Sequence, residues 1–66
     1  MVGKTYRHYK GNEYEVIAIA LHSETLEEMV VYKALYGDGK VWVRPKRMWD
    51  EEVEVDGKKI KRFSEI

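Results

Sequence analysis

The chain contains no cysteine, which excludes a disulfide scaffold, a thiolate zinc site and a cysteine nucleophile. It has a single proline, Pro45, and no Pro-rich or low-complexity stretch to mark a linker. Charge of one sign is also missing. Twelve Lys and Arg balance twelve Asp and Glu, for a formal net charge of zero. A domain that holds nucleic acid by its overall field is normally strongly basic, so that partner is not favoured. No apolar run approaches the ~18 residues of a membrane span, and the first residues lack the apolar segment of a signal peptide. These absences leave a small globular domain, expected in the cytoplasm and away from membranes.

What the chain does have is apolar and aromatic mass. Its 66 residues are 44% hydrophobic and include two Trp, five Tyr and one Phe. That composition argues against disorder. A domain of about 60 residues buries only about 60% of the surface its unfolded chain exposes. Large side chains must therefore make the core, each buried aromatic removing roughly 150–250 Å² from water. A closed or strongly curved sheet would give so short a chain one enclosed core, and a homodimer is the alternative remedy.

Glycines punctuate the apolar runs in the manner of hairpins. Gly11-Asn12 predicts a two-residue turn between Thr5–Tyr9 and Glu13–His22, with Tyr9 opposite Tyr14 and His8 opposite Glu15. The run from Val16 to Leu21 is rich in β-branched residues and reads as a strand buried on both faces. Thr25 and Glu28 have capping-box spacing, which allows one helical turn between strands. Asp38-Gly39 predicts a second tight turn, with Leu35 opposite Trp42 and Arg44 beside Lys33. Pro45 should end that strand, because it cannot donate to the ladder. Lys46–Asp50 then forms a short turn or 3₁₀ segment. Asp56-Gly57 is the strongest hairpin signal. It sets Val53 opposite Ile60, and it brings Glu54, Glu52 and Glu51 to Lys59, Lys61 and Arg62. The acids and bases of this region thus read as one solvated, paired face. The expected architecture is mainly β: one SH3-like barrel of five to six antiparallel strands spanning residues 1–66.

Six short segments occur in order: Tyr6-Arg7-His8-Tyr9-Lys10-Gly11, His22-Ser23-Glu24-Thr25, Val31-Tyr32, Leu35-Tyr36-Gly37, Trp42-Val43-Arg44-Pro45 and Arg62-Phe63. Together they resemble the small bacterial family known as domain of unknown function 1653, over nearly the whole chain. The resemblance implies a compact, mainly β domain. It carries no activity, substrate or partner. Trp49 stands where Phe is expected, and either ring fills an apolar niche.

Several groupings invite a chemical reading. His8 and His22 with nearby acids raise the question of a metal, but no third ligand is placed by spacing, so neither a metal nor another cofactor is expected. His22-Ser23-Glu24-Thr25 holds residue types of nucleophilic catalysis. Neighbours on a strand point to opposite faces, and no oxyanion-hole signature accompanies them. A hydrogen-bonded turn explains the segment better. An enzyme using His8, His22 and Glu24 is the lesser alternative. Arg44-Pro45-Lys46-Arg47 with Trp49 is the strongest binding motif, since Arg offers a planar fork to carboxylate or phosphate and Trp a stacking face. The competing structural role has Trp49 plugging the barrel end and Arg44 paired with Glu51 or Glu52. The sequence therefore predicts a binding or accessory module for a peptide or a small anionic ligand. Its site would include Arg44, Trp49 and Tyr32, with His8 and His22 as further candidates. A nucleic-acid-binding role through the same cations and the tyrosines is the alternative.

Overall fold

The computed structural model describes residues 1–66. Seven strands and one helical turn follow in order: β1 (Thr5–His8), β2 (Glu13–Leu21), β3 (Glu28–Ala34), β4 (Val41–Pro45), α1 (Lys46–Trp49), β5 (Glu52–Val55), β6 (Lys58–Lys61) and β7 (Phe63–Glu65). Five strands form an antiparallel sheet in the order β4-β3-β2-β1-β7, and β5 and β6 form a separate two-stranded sheet. The expected mainly β chain with no long helix is what forms. The strands number seven rather than five or six. The main sheet keeps two free edges, β4 and β7, so its ladder does not close into a barrel.

Directly paired residues share a face of a sheet. On one face Tyr6 lies opposite Tyr14, Val16 opposite Tyr32, Val30 opposite Arg44, Tyr32 opposite Trp42, and His8 opposite Phe63. This face carries the core: Tyr6, Val16, Val30, Tyr32, Trp49 and Phe63 form one buried cluster. α1 is a single turn whose task is to deliver Trp49 to it. Pro45 precedes that turn with φ −56°, an angle its ring enforces. The Trp49 ring stacks on Phe63 with centroids 3.6 Å apart and planes 3° from parallel. Tyr6 and Tyr32 meet Trp49 edge-on at 5.4 and 5.0 Å.

β2 departs from the run buried on both faces that its sequence predicts, since only Val16 of its nine residues is fully buried. A bulge at Ile17 breaks the alternation. The pairs Val16–Tyr32 and Ile19–Val30 show that core-facing residues lie three apart across it. Ile17 points to water, and the extra residue bends the strand around the small core.

Two of the three predicted turns are corrected. Neither Asn12 nor Asp38 has a positive φ, so neither Gly11-Asn12 nor Asp38-Gly39 makes the tight turn, which needs φ > 0 at both residues. In the first hairpin the His8 N–H donates to the Asn12 carbonyl at 2.8 Å, leaving Tyr9–Gly11 as the loop. Tyr6, not Tyr9, then faces Tyr14, and Glu15 faces Thr5 rather than His8. In the second, the Ala34 N–H donates to the Lys40 carbonyl at 2.9 Å, so residues 35–39 form the loop. Arg44 consequently lies opposite Val30, not beside Lys33. The third hairpin follows its prediction: Asp56 and Gly57 have φ of 52° and 77°, and Val53 pairs with Ile60.

Candidate functional site

Phe63 is the centre around which the polar groups of the core face gather. Its strand, β7, lies beside β1, which brings the His8 ring to 5.0 Å from the Phe63 ring, edge to face. From β4, at the opposite edge of the sheet, the Arg44 guanidinium reaches over the same ring at 5.5 Å from its centroid. A cation over an aromatic face at this range gains about 0.5–1 kcal/mol. The Arg44 Nε also donates to the Tyr32 hydroxyl at 3.3 Å. Arg44 is half-buried, and its partners are thus a neutral phenol and a π face.

Neither Glu51 nor Glu52 takes Arg44, contrary to the structural role its sequence suggests. Glu51 instead accepts from the Arg62 guanidinium at 3.4 Å. That contact is long, and the Arg62 Nε is buried with no hydrogen-bond partner. None of the four ion pairs of the chain includes Arg44. Half-buried cations without a full complement of acceptors are costly, and an anion is what would satisfy them.

The His8 imidazole registers this field. Burial first, then the charges of Arg44, Arg62 and Lys10, hold its pKa below the usual histidine value. Its Nδ1 accepts the Lys10 N–H at 3.2 Å, so in that neutral ring Nε2 carries the proton. Tyr14 and Tyr36 border the group, their hydroxyls 2.9 Å apart. Burial and the Tyr36 partner push the Tyr14 pKa up to about 12, so that phenol keeps its proton at neutral pH.

The residues singled out from sequence separate into three groups. Arg44, Tyr32 and His8 come together around Phe63. Trp49 is only 3% exposed and offers a ligand no free ring face; it holds Phe63 and Tyr32 in place. His22 lies at the far end of β2, roughly 30 Å of strand from the His8 end. There its Nδ1 accepts the N–H groups of Glu24 and Thr25, at 3.1 and 3.3 Å, and the Thr25 hydroxyl accepts that of Glu27. This is a hydrogen-bonded turn and not the helical turn that Thr25 and Glu28 would cap. Arg62 was not among the sequence candidates. Its place in the paired hairpin face concealed it, and only its neighbour Phe63 signals its position.

A cleft of about 530 Å³ borders Trp49 and Phe63, between Tyr6, Lys46, Asp50, Lys61 and Glu65. Lys46 is paired there with Asp50 at 2.9 Å, while Lys61 and Glu65 take part in no ion pair. Burial, reinforced by Glu65, raises the Tyr6 pKa. No buried side-chain polar atom of that cleft lacks a hydrogen-bond partner, as the Arg62 Nε does.

Residues 4–65 match the family described as "Protein of unknown function (DUF1653)". Among solved structures, the chain is similar to a crystal structure of a DUF1653 protein from Bordetella bronchiseptica. The two are 34% identical with a TM-score of 0.88, over 100% of this chain and 87% of that one. No curated protein matches the chain.

Proposed function

The chain belongs to the DUF1653 family, whose description gives no activity, and from its own residues we propose that it is a binding module for an anionic ligand held between Arg44, Arg62 and His8. The observation that carries this reading is the state of the two guanidiniums. Arg44 has no carboxylate partner, and the Arg62 Nε has no partner at all. A carboxylate or phosphate seated there would accept charge-assisted bonds from both forks, while Nε2 of His8 donates a third. The strand order β7-β1-β2-β3-β4, with a helical turn after β4, supports reading the fold as an open SH3-like barrel. On that reading the site lies on the barrel's aromatic face, by analogy of fold alone. Peptide carboxylates and small anions share this chemistry.

The test is a titration of the labelled protein with inorganic phosphate and with acetate, followed by NMR at the His8 ring. Anion binding should raise the His8 pKa, because it offsets the two cations that lower it. Arg44→Gln should weaken binding about tenfold or more, the scale of a lost charged hydrogen bond, and leave the fold intact. Unchanged His8 titration at saturating anion, or unchanged affinity in Arg44→Gln, would overturn the proposal.

A further inference from the structure

β4 is the end strand of the main sheet, and nothing pairs with its outer side. Proteins usually blunt such an edge. Here it bears three consecutive exposed apolar residues, Val41, Trp42 and Val43. The ladder with β3 sets the hydrogen-bond phase of the strand. Ala34 donates to Lys40, which makes 34 and 40 a bonded pair, and bonded pairs in an antiparallel ladder recur every second residue. Residues 40, 42 and 44 therefore turn their backbone groups toward β3. Val41 and Val43 turn theirs outward, to nothing in this chain. Beyond them Pro45 has no N–H, and the chain leaves the sheet for α1.

Side chains on this edge alternate as well. Trp42 and Arg44 share the core face with Tyr32 and Val30, and Lys40 follows at the same phase. Val41 and Val43 lie on the outer face with Lys33 and Val31. Neither Lys40 nor Arg44 is in an ion pair. A second copy of the chain, paired antiparallel about Trp42, would set Lys40 against Arg44 at both ends, and like charges directly opposite are destabilising. The same two cations favour an acidic strand.

We propose that the free edge of β4 is a docking strand for an extended segment of a partner protein, added antiparallel and patterned acid–apolar–any–apolar–acid. The two apolar residues exchange backbone hydrogen bonds with Val41 and Val43, and their side chains extend the outer apolar face. The two acids fall opposite Lys40 and Arg44. Asp38 borders the cleft of about 260 Å³ formed by Ala34, Tyr36, Lys40 and Trp42. Asp38 forms no ion pair with Lys40, which is exposed, whereas Arg44 is already engaged by Tyr32 and Phe63, so Lys40 is the freer anchor. The proposal goes beyond the small-anion site, with which it shares only Arg44. The contact needs extended backbone, which phosphate and acetate lack.

The test uses the ¹⁵N-labelled whole chain and a capped peptide, Gly-Glu-Val-Ser-Val-Glu-Gly. The expected result is shifts of the Val41 and Val43 amides, with affinity lowered about tenfold when both peptide valines are N-methylated or when lysines replace the peptide's acids. Val43→Pro should do the same, since it removes an outward N–H and no bond to β3. The N-methylated peptide gives this reading on the unmodified protein if that variant does not fold. Lys40→Gln should weaken binding more than Arg44→Gln. Absence of shifts at millimolar peptide, equal binding of the lysine or N-methylated peptide, or shifts at His8 and Tyr32 without Val41 and Val43 would overturn the proposal. So would concentration-dependent shifts of Val41 and Val43 in the free protein, which would give the edge to a second copy. A phosphate titration run beside it reports on the small-anion site alone, so either reading can fail without the other.

Discussion

At the scale of single residues, His8 links the candidate site to stability. Its folded pKa is held down by burial and by Arg44, Arg62 and Lys10. The unfolded chain takes up the proton near the ordinary value of about 6.5, while the folded chain does so only at lower pH. The unfolded state thus binds more protons in that window, and stability that is full above about pH 6.5 falls as pH drops toward the folded pKa. Removing a cation should narrow the window. In Arg44→Gln the His8 ring should titrate closer to its ordinary value. The loss of stability between about pH 7.5 and about pH 5.5, measured by urea denaturation, should then be smaller than in the unmodified chain. An unchanged His8 titration would mean that burial alone sets it. Arg44 and Tyr32 were legible as candidates from the Arg-Pro motif and the tyrosine-rich strand. The company they keep was not, because it depends on Phe63 arriving from the far end of the chain.

At the scale of elements, turn chemistry was informative where one short signal had no competitor. Asp56-Gly57 fixed the register of β5 and β6, because both residues adopt positive φ and the strand charges agree with that pairing. Gly11-Asn12 and Asp38-Gly39 looked equally good, but each gave way to a different register, one for the core and one for the loop glycines. In the first hairpin Tyr6 must sit opposite Tyr14 to be buried, which lengthens the loop by one residue. In the second, Gly37 and Gly39 carry the positive φ values, so the loop needs five residues. Each slip changed which residues meet, and with it the setting of His8 and of Arg44. The β5–β6 hairpin also has its own energetics, being exposed and separate from the main sheet. Gly57→Ala should cost about 1 kcal/mol, the price of a side chain at positive φ. Hydrogen exchange should show this as faster opening of β5 and β6, with the amides of Val16 and Val30 unchanged. Equal acceleration throughout would mean that the hairpin unfolds only with the whole domain.

At the scale of the whole molecule, the domain is held by very few side chains. Seven of 66 residues are buried, and the Trp49–Phe63 stack joins α1 to the last strand across the core. A chain of this length has about 3–10 kcal/mol of stability to lose. Trp49→Ala, at about 3–5 kcal/mol for a buried Trp, should remove most of it. A thermal melt followed by circular dichroism should show the cooperative transition lost or moved down by tens of degrees. Trp49→Phe should keep most of it, and Trp42→Ala should leave it nearly unchanged. A stable Trp49→Ala protein would show that the core repacks around the gap.

The placement of the two tryptophans has an optical consequence. Trp49 is sealed against Phe63, whereas Trp42 stands 49% exposed on the outermost strand. Their indoles therefore sit in an apolar and an aqueous environment, and their emission separates into a blue component and a red one. A soluble quencher reaches the red component first. Unfolding moves the blue component toward the red, while a strand laid along β4 shields the red one without touching the blue. Without any added label, the chain thus carries one light signal for the integrity of its interior and another for the occupancy of its edge.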